Sequence, residues 1–291
     1  MAGAMISVLA ALPLPWPFER QYMQLALLAG VVVGASAPMI GAFLVQKRMS
    51  LMGDGIGHIA FAGVAGGLLL GVWPLGSALV VAVLGAVGLE WLRSRRRASG
   101  DLMLALLFYT GIAGGVVLSE LAGSLNASVL TYLFGSILTV SPGDAWLVAV
   151  LGTGIAGAVA VSWRALLAVV LDEEAARVAG LPVDALNLAL AALAALTVVA
   201  AMRVVGVLLV AALMVLPVGA AQRFASSFRS TLVWSSGIGA SSAVAGLVAA
   251  RVYGLAPGGS IVLVAAGAFL VASAVGARLR PGRSAASPLP G

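Results

Sequence analysis

The stretch LDEEAARVAGLPV, residues 171–183, interrupts a chain that is apolar on both sides of it. Asp172, Glu173, Glu174 and Asp184 put four of the chain's ten acidic residues within thirteen positions. Asp is a good helix N-cap, and two glutamates directly after it suit the positive end of a helix dipole. Ala175, Ala176, Arg177, Val178 and Ala179 continue a helix. Gly180 can close it in the left-handed conformation, and Pro182 prevents its continuation. The spacing predicts a helix of about two turns, far short of the roughly 12–15 residues that stand alone in water. Such an element needs support from its neighbours, as a lever or a docking knob. A plain polar loop is the alternative that local sequence leaves open.

The surroundings set the class. The 291 residues are 62% hydrophobic and only 9% charged, with mean hydropathy +1.14. A soluble domain carries about 25% charge, so lipid is the solvent of this chain. Sixteen Lys and Arg stand against ten Asp and Glu, a net charge of +6. In a membrane chain that excess reports orientation and not nucleic acid. The absence of Cys excludes a disulfide framework and thiolate metal sites. Thirty-seven glycines suit close helix packing in lipid.

The fold expected is all-α, a polytopic transmembrane helix bundle of about nine spans. Apolar runs place the spans near residues 23–45, 56–72, 75–92, 102–121, 145–161, 185–201, 204–220, 231–252 and 261–277. Pro38 is expected to kink the first, and Met202-Arg203 marks the least regular boundary. Residues 126–140 are too short to cross and return, and read as an external re-entrant or surface helix pair broken at Gly135 and Ser136. Residues 1–22 lack signal-peptide features and read as an interfacial segment, with Trp16 and Phe18 at headgroup level. Residues 23–278 form the spanning domain, and 279–291 a basic, low-complexity tail expected to be disordered.

Charge gives the orientation. Lys47, Arg48, Arg93, Arg95, Arg96, Arg97, Arg164, Arg177, Arg223, Arg229, Arg278, Arg280 and Arg283 fall on one side of this arrangement, and Arg20, Arg203 and Arg251 on the other. The richer side is cytoplasmic by the positive-inside rule. The N-terminus is then external, the C-terminus cytoplasmic, and residues 171–183 cytoplasmic.

Little here supports catalysis. A phosphate-binding loop needs Gly-Lys-Ser/Thr, and the one lysine, Lys47, is followed by Arg48. No Gly-x-Ser-x-Gly elbow surrounds any serine. Asp54 and His58 are the informative pair. Four apart, they share a face if the second span begins at or before Asp54. Carboxylate and imidazole are ligands for a first-row divalent ion, and ionisable groups within a span usually line a pathway. The plainer alternative is that Asp54 caps the span and His58 hydrogen-bonds inside the bundle. With one histidine and no cysteine, a weak, transient site fits passage better than storage.

The run KRMSLMGDGIGHIAFAGVAGG, residues 47–67, closely resembles the signature of the membrane subunits of ABC importers for zinc, manganese and iron. LTYLFGSILTVSPGD (130–144), DEEAARVAGL (172–181), AMRVVGVLLVAALMVLPVGAAQRFA (201–225) and APGGSIVLVAA (256–266) agree in the same order. The resemblance spans roughly residues 18–278 and implies a permease, a non-catalytic subunit with no permanently bound cofactor. Residues 171–183 resemble the coupling loop of such importers. The resemblance implies that Asp172, Glu173, Glu174, Ala175, Ala176, Arg177 and Gly180 contact a cytoplasmic ABC ATPase, where ATP is hydrolysed. It also implies a second permease copy, a homodimer with a central path. An external solute-binding protein would dock near Leu130, Tyr132, Phe134 and Pro257. Asp54 and His58 fall on the family's metal-pathway positions. Zinc, manganese and ferrous iron accept overlapping ligands, so these residues do not choose among them. An ion- or proton-coupled secondary carrier, with Asp54 and His58 moving protons, is the alternative from another class, and a membrane scaffold is a third.

Overall fold

In a lipid core each backbone N–H and C=O must be satisfied within its own segment, so long apolar runs become helices. The computed structural model describes residues 16–95, 100–123, 127–136 and 140–279, and every regular element among them is α-helical. In chain order these are α1 (Gln21–Gln46), α2 (Met52–Leu69), α3 (Pro74–Ser94), α4 (Gly100–Leu121), α5 (Ala127–Phe134), α6 (Pro142–Leu171), α7 (Glu173–Val178), α8 (Val183–Met202), α9 (Val207–Ala221), α10 (Phe228–Tyr253) and α11 (Pro257–Leu279).

Eight of these helices are long and apolar enough to cross a membrane: α1, α2, α3, α4, α6, α8, α10 and α11. The ninth expected crossing is α9, apolar but only 15 residues, or ~22 Å. It begins late because residues 203–206 are not helical. Gly206, at φ 87°, turns the chain there, in the left-handed region that only glycine enters freely.

The centre of the bundle is α1, α2 and α8, whose most apolar windows are 67%, 67% and 61% buried. The short α9 packs between α1, α2 and α11. α1 and α10 approach most closely at Gly34 and Gly239, where a Cβ on either would overlap the backbone of the other. Small residues let membrane helices reach this contact without a hydrophobic driving force.

Three boundaries differ from the sequence expectation. α2 starts at Met52, so Asp54 lies inside its first turn. The turn before it, residues 47–51, is correspondingly short. α6 runs 30 residues to Leu171, ten beyond the expected end at Val161. Trp163-Arg164 does not stop it, because the exposed Arg164 guanidinium stacks on the Trp163 ring at 5.5 Å and reaches water along the helix surface. The expected helix pair at 126–140 is, among the described residues, the single helix α5. Residues 126 and 137–139 lie outside the described residues, as do residues 1–15 of the N-terminal segment, Arg96 and Arg97, and residues 280–291 of the tail.

α8 begins beside α7 and ends at the 203–206 break, ~30 Å away along its axis. Ser136 donates its N–H to the Arg203 carbonyl at 3.3 Å, so α5 and α7 sit at opposite ends of the bundle. At the α5 end, a Cβ on Gly206 would overlap backbone atoms of Leu133, Phe134 and Gly135. Gly206→Ala therefore combines left-handed strain with overlap and is expected to cost roughly 2–5 kcal/mol. Thermal unfolding in detergent checks this against Gly154→Ala, whose added methyl meets nothing within 4 Å and which is expected to unfold no earlier than the wild type.

Candidate functional site

The acidic stretch folds as its composition requires. The Asp172 carboxylate accepts N–H donations from Glu174 at 3.0 Å and Ala175 at 2.9 Å, capping α7. Gly180 adopts φ 82°. Leu181 N–H donates to the Ala176 carbonyl at 3.0 Å and Gly180 N–H to the Arg177 carbonyl at 3.1 Å. Those two bonds form the closing motif that a glycine in the left-handed conformation permits. Ala176 is buried with Val169 and Val183, and Leu181 packs over them. Glu174, Ala175, Arg177, Val178, Ala179 and Gly180 face outward. Val178 is 86% exposed, an apolar tip on a helix too short to need one there. Arg177 pairs with Asp184 at 2.9 Å on the surface.

Glu173 turns the other way. Its Oε1 accepts from Arg93 Nη2 of α3 at 3.0 Å and from Asn187 Nδ2 of α8 at 3.2 Å, and lies 3.2 Å from Lys47 Nζ at the end of α1. Lys47 donates to Asn187 Oδ1 at 2.7 Å. Arg93 grips Glu90 with two bonds, Nη2 to Oε1 at 2.6 Å and Nε to Oε2 at 2.8 Å. Lys47 stands 3.7 Å from the same carboxylate. Glu90 is 2% exposed. Two cations, two anions and one amide thus form a neutral cluster at one end of the bundle. Burial pulls the Lys47 ammonium below its ordinary pKa, and Glu90 and Glu173 oppose that pull. Burial pushes Glu173 up, but Lys47 and Arg93 together outweigh it and hold the carboxyl below its ordinary value.

Asp54 and His58 lie on one face of α2, both half-buried, and neither makes a hydrogen bond or ion pair with another described residue. The α2 N-cap is Leu51, with no side-chain capping bond, so Asp54 is not spent as a cap. Asp54 lines a hollow of about 410 Å³ with Leu51, Leu104, Ala105, Phe108 and Tyr109. His58 lines a second, of about 310 Å³, among Phe61, Ile112, Val116, Leu130, Leu133 and others. The Phe108 ring, part of the Asp54 hollow's lining, meets the His58 imidazole edge-on at 4.4 Å. Among the described residues no three His, Asp or Glu side chains converge to hold a metal ion.

At the opposite end, Leu130 and Phe134 are exposed, Tyr132 is half-buried and Pro257 is buried at the start of α11. Arg203 lies over the Tyr132 ring at 5.0 Å and pairs with Asp144 at 2.6 Å. Asp144 in turn closes a capping box with Ser141. Of the four residues expected at a docking face, two present side chains outward and two support the surface from beneath.

The sequence reading missed Glu90, Arg93 and Asn187 as site residues, and Lys47 as more than a basic flank. One signal was available. Glu90 is an acid inside an apolar span with an arginine three residues on, a pair that meets on a helix. The contacts to Lys47 and Glu173 carry no sequence signal, because their residues are far apart in the chain.

Residues 19–276 match the ABC 3 transport family. The chain is 31% identical over 254 residues to the manganese transport system membrane protein MntC of Listeria monocytogenes, covering 87% of this chain and 90% of that one. It is 29% identical over 246 residues to the high-affinity zinc uptake system membrane protein ZnuB of Haemophilus influenzae, covering 84% and 94%. Among solved structures, PsaBC from Streptococcus pneumoniae in complex with Fab aligns with TM-score 0.77 at 32% identity, covering 86% of this chain and 90% of that chain.

Removing one member of a buried ion-paired cluster leaves an uncompensated charge, which costs roughly 3–5 kcal/mol. Glu90→Ala is expected to lose about that much in denaturant unfolding of the purified chain, whereas Arg177→Ala, at the exposed pair, is expected to leave the midpoint unchanged.

Proposed function

This chain belongs to the ABC 3 transport family, and from that premise we propose that it is the permease subunit of an ATP-driven importer of divalent transition-metal ions. The observation that carries the reading is the Asp54–His58 pair, two ligand-type side chains on a buried helix with no hydrogen-bond or ion-pair partner among the described residues. Ionisable groups are costly inside a span unless they serve a path. An oxygen and a nitrogen ligand suit zinc, manganese or ferrous iron. One chain supplies two ligands. A second copy related by a twofold axis supplies the other two, which makes the homodimer the transporting unit. A site shared across an interface holds an ion loosely enough to release it.

The outward face of α7, with Val178 at its tip, is the surface a separate ATPase grips. Its closure on ATP then moves the spans. The end carrying Lys47, Arg48, Arg93, Arg95, Arg177, Arg223 and Arg229 is cytoplasmic by the positive-inside rule, and the N-terminus is external. A solute-binding protein delivers the ion at the far end, over Leu130 and Phe134. MntC and ZnuB are named for manganese and zinc, and the ligand chemistry adds ferrous iron to the cargo class.

Two experiments test this. In vesicles holding the permease, its ATPase and the binding protein, Mn²⁺ or Zn²⁺ uptake is expected to require ATP. Asp54→Asn and His58→Ala are each expected to lower it by at least the roughly 10–100-fold that losing even an outer-shell partner costs a metal site, with assembly intact. Unchanged uptake would make both residues structural, and uptake driven by a proton gradient with no ATPase bound would favour the secondary carrier. Gly180→Leu forces a side chain into the left-handed region at φ 82°, a local cost of ~1–2 kcal/mol. It is expected to abolish ATPase co-purification while the permease stays monodisperse; normal uptake would count against α7 as the docking element.

A further inference from the structure

We propose that Lys47, Glu90, Arg93 and Asn187 are positioning residues that clamp Glu173 of α7 to the start of α2, so that the ATPase-docking helix and the Asp54–His58 helix move as one body. The inference rests on the reading of α7 as the ATPase contact and extends it inward, to the route by which motion reaches the ion.

The geometry has three parts. First, Glu173 Oε1 receives Arg93, Asn187 and Lys47 at 3.0–3.2 Å, the first and last from elements remote in the chain and Asn187 from the adjoining α8. The apolar contacts of α7, through Ala176 to Val169 and Val183, reach only the helices that flank it in sequence. Apolar surfaces can slide over one another, whereas charge-assisted bonds are short and directional. Second, Lys47 is joined to α2 with no slack. The turn is five residues, 47–51, and is held at both ends: Arg48 N–H to Val45 O at 3.1 Å, Met49 N–H to Leu44 O at 2.8 Å, Met52 N–H to Met49 O at 3.0 Å and Gly55 N–H to Leu51 O at 3.2 Å. Arg48 sits at φ 59°, a left-handed position that a non-glycine residue keeps only where the surroundings hold it. Asp54 follows in the first turn of α2. Third, the cluster resists opening. Parting Glu173 from it leaves Lys47 and Arg93 sharing Glu90, an excess positive charge where Glu90 is 2% exposed and desolvation is costly.

A clamp and a mere brace differ in one quantity, the metal moved per ATP hydrolysed. The chain has no cysteine, so an introduced pair supplies the only thiols of the permease. In vesicles holding permease, ATPase and binding protein, Glu173→Gln and Lys47→Met are expected to keep ATP hydrolysis but lower Mn²⁺ or Zn²⁺ moved per ATP by roughly fivefold or more, the lower end of coupling between sites. The double variant Lys47→Cys, Glu173→Cys is expected to be uncoupled when reduced. It is expected to recouple when bridged by a bifunctional methanethiosulfonate reagent that spans the gap. The proposal is overturned if the single variants keep the wild-type ratio. It is equally overturned if hydrolysis and uptake fall together, or if no bridge restores the ratio. A wild-type complex that hydrolyses ATP without moving Mn²⁺ or Zn²⁺ overturns the importer reading itself, and the clamp with it.

Discussion

Two cations and two anions clustered at one end of an apolar bundle, around a Glu90 only 2% exposed, cannot be parted without stranding a charge. That constraint fixes Glu173, Lys47, Glu90 and Arg93 together, with Asn187 bridging the gap between Lys47 and Glu173. The five side chains come from four helices or their ends, with Glu90 and Arg93 sharing α3, so their meeting registers α1, α3, α7 and α8 against one another. Hydrophobic contacts in lipid do not supply this register, because lipid tails are as apolar as leucine. A buried ionic cluster is weak as a source of stability but well suited to fixing one arrangement among several. Here it holds a six-residue helix that has no means of standing alone.

The two ends of the bundle are built differently. At the cluster end, charge holds the elements and α7 projects from them. At the other end, the backbone itself is interlocked: the 203–206 break, the segment after α5 and the start of α11 come together at Gly135, Gly206 and Gly258, where no side chain fits. Arg203 and Asp144 tie that region to α6. Between the ends runs α2, two-thirds buried, with Asp54 in its first turn, His58 one turn further in, and Phe108 lining the Asp54 hollow while touching the His58 ring. A helix held firmly at its start can turn a push at one end into a shift of Asp54 and His58 along its face.

How much of this was legible depended on distance along the chain. The α7 cap and its glycine closure were readable because each bond joins residues within a few positions, as Asp172 to Ala175 and Leu181 to Ala176 do. Asp54 and His58 were readable as a pair because a helix puts i and i+4 on one face. The spans were readable from apolar length alone. Three things were not. Trp163-Arg164 looked like a helix end because polar side chains usually mark the interface, yet a long side chain can reach out from a continuing helix. Gly206 fell inside the expected span 204–220, and its backbone angle marks it as a turn. The cluster joins Lys47 to Asn187, 140 residues on, and Arg93 to Glu173, 80 residues on. No periodicity connects such positions. Pro257 shows the converse limit: a resemblance marks a position without saying whether its side chain faces outward, and this one is buried.

If α7 and the start of α2 are one body, the distance between them is independent of the nucleotide state. Leu171, directly before the α7 cap, and Leu51 are both exposed and carry spin labels readily in a cysteine-free chain. Pulsed electron–electron resonance on the assembled complex, without nucleotide and with ATP trapped, measures that distance directly. The result expected is a shift of no more than ~1.5 Å, one residue's rise along a helix. A shift approaching a full turn, ~5.4 Å, would contradict the claim that charge locks α7 to the start of α2.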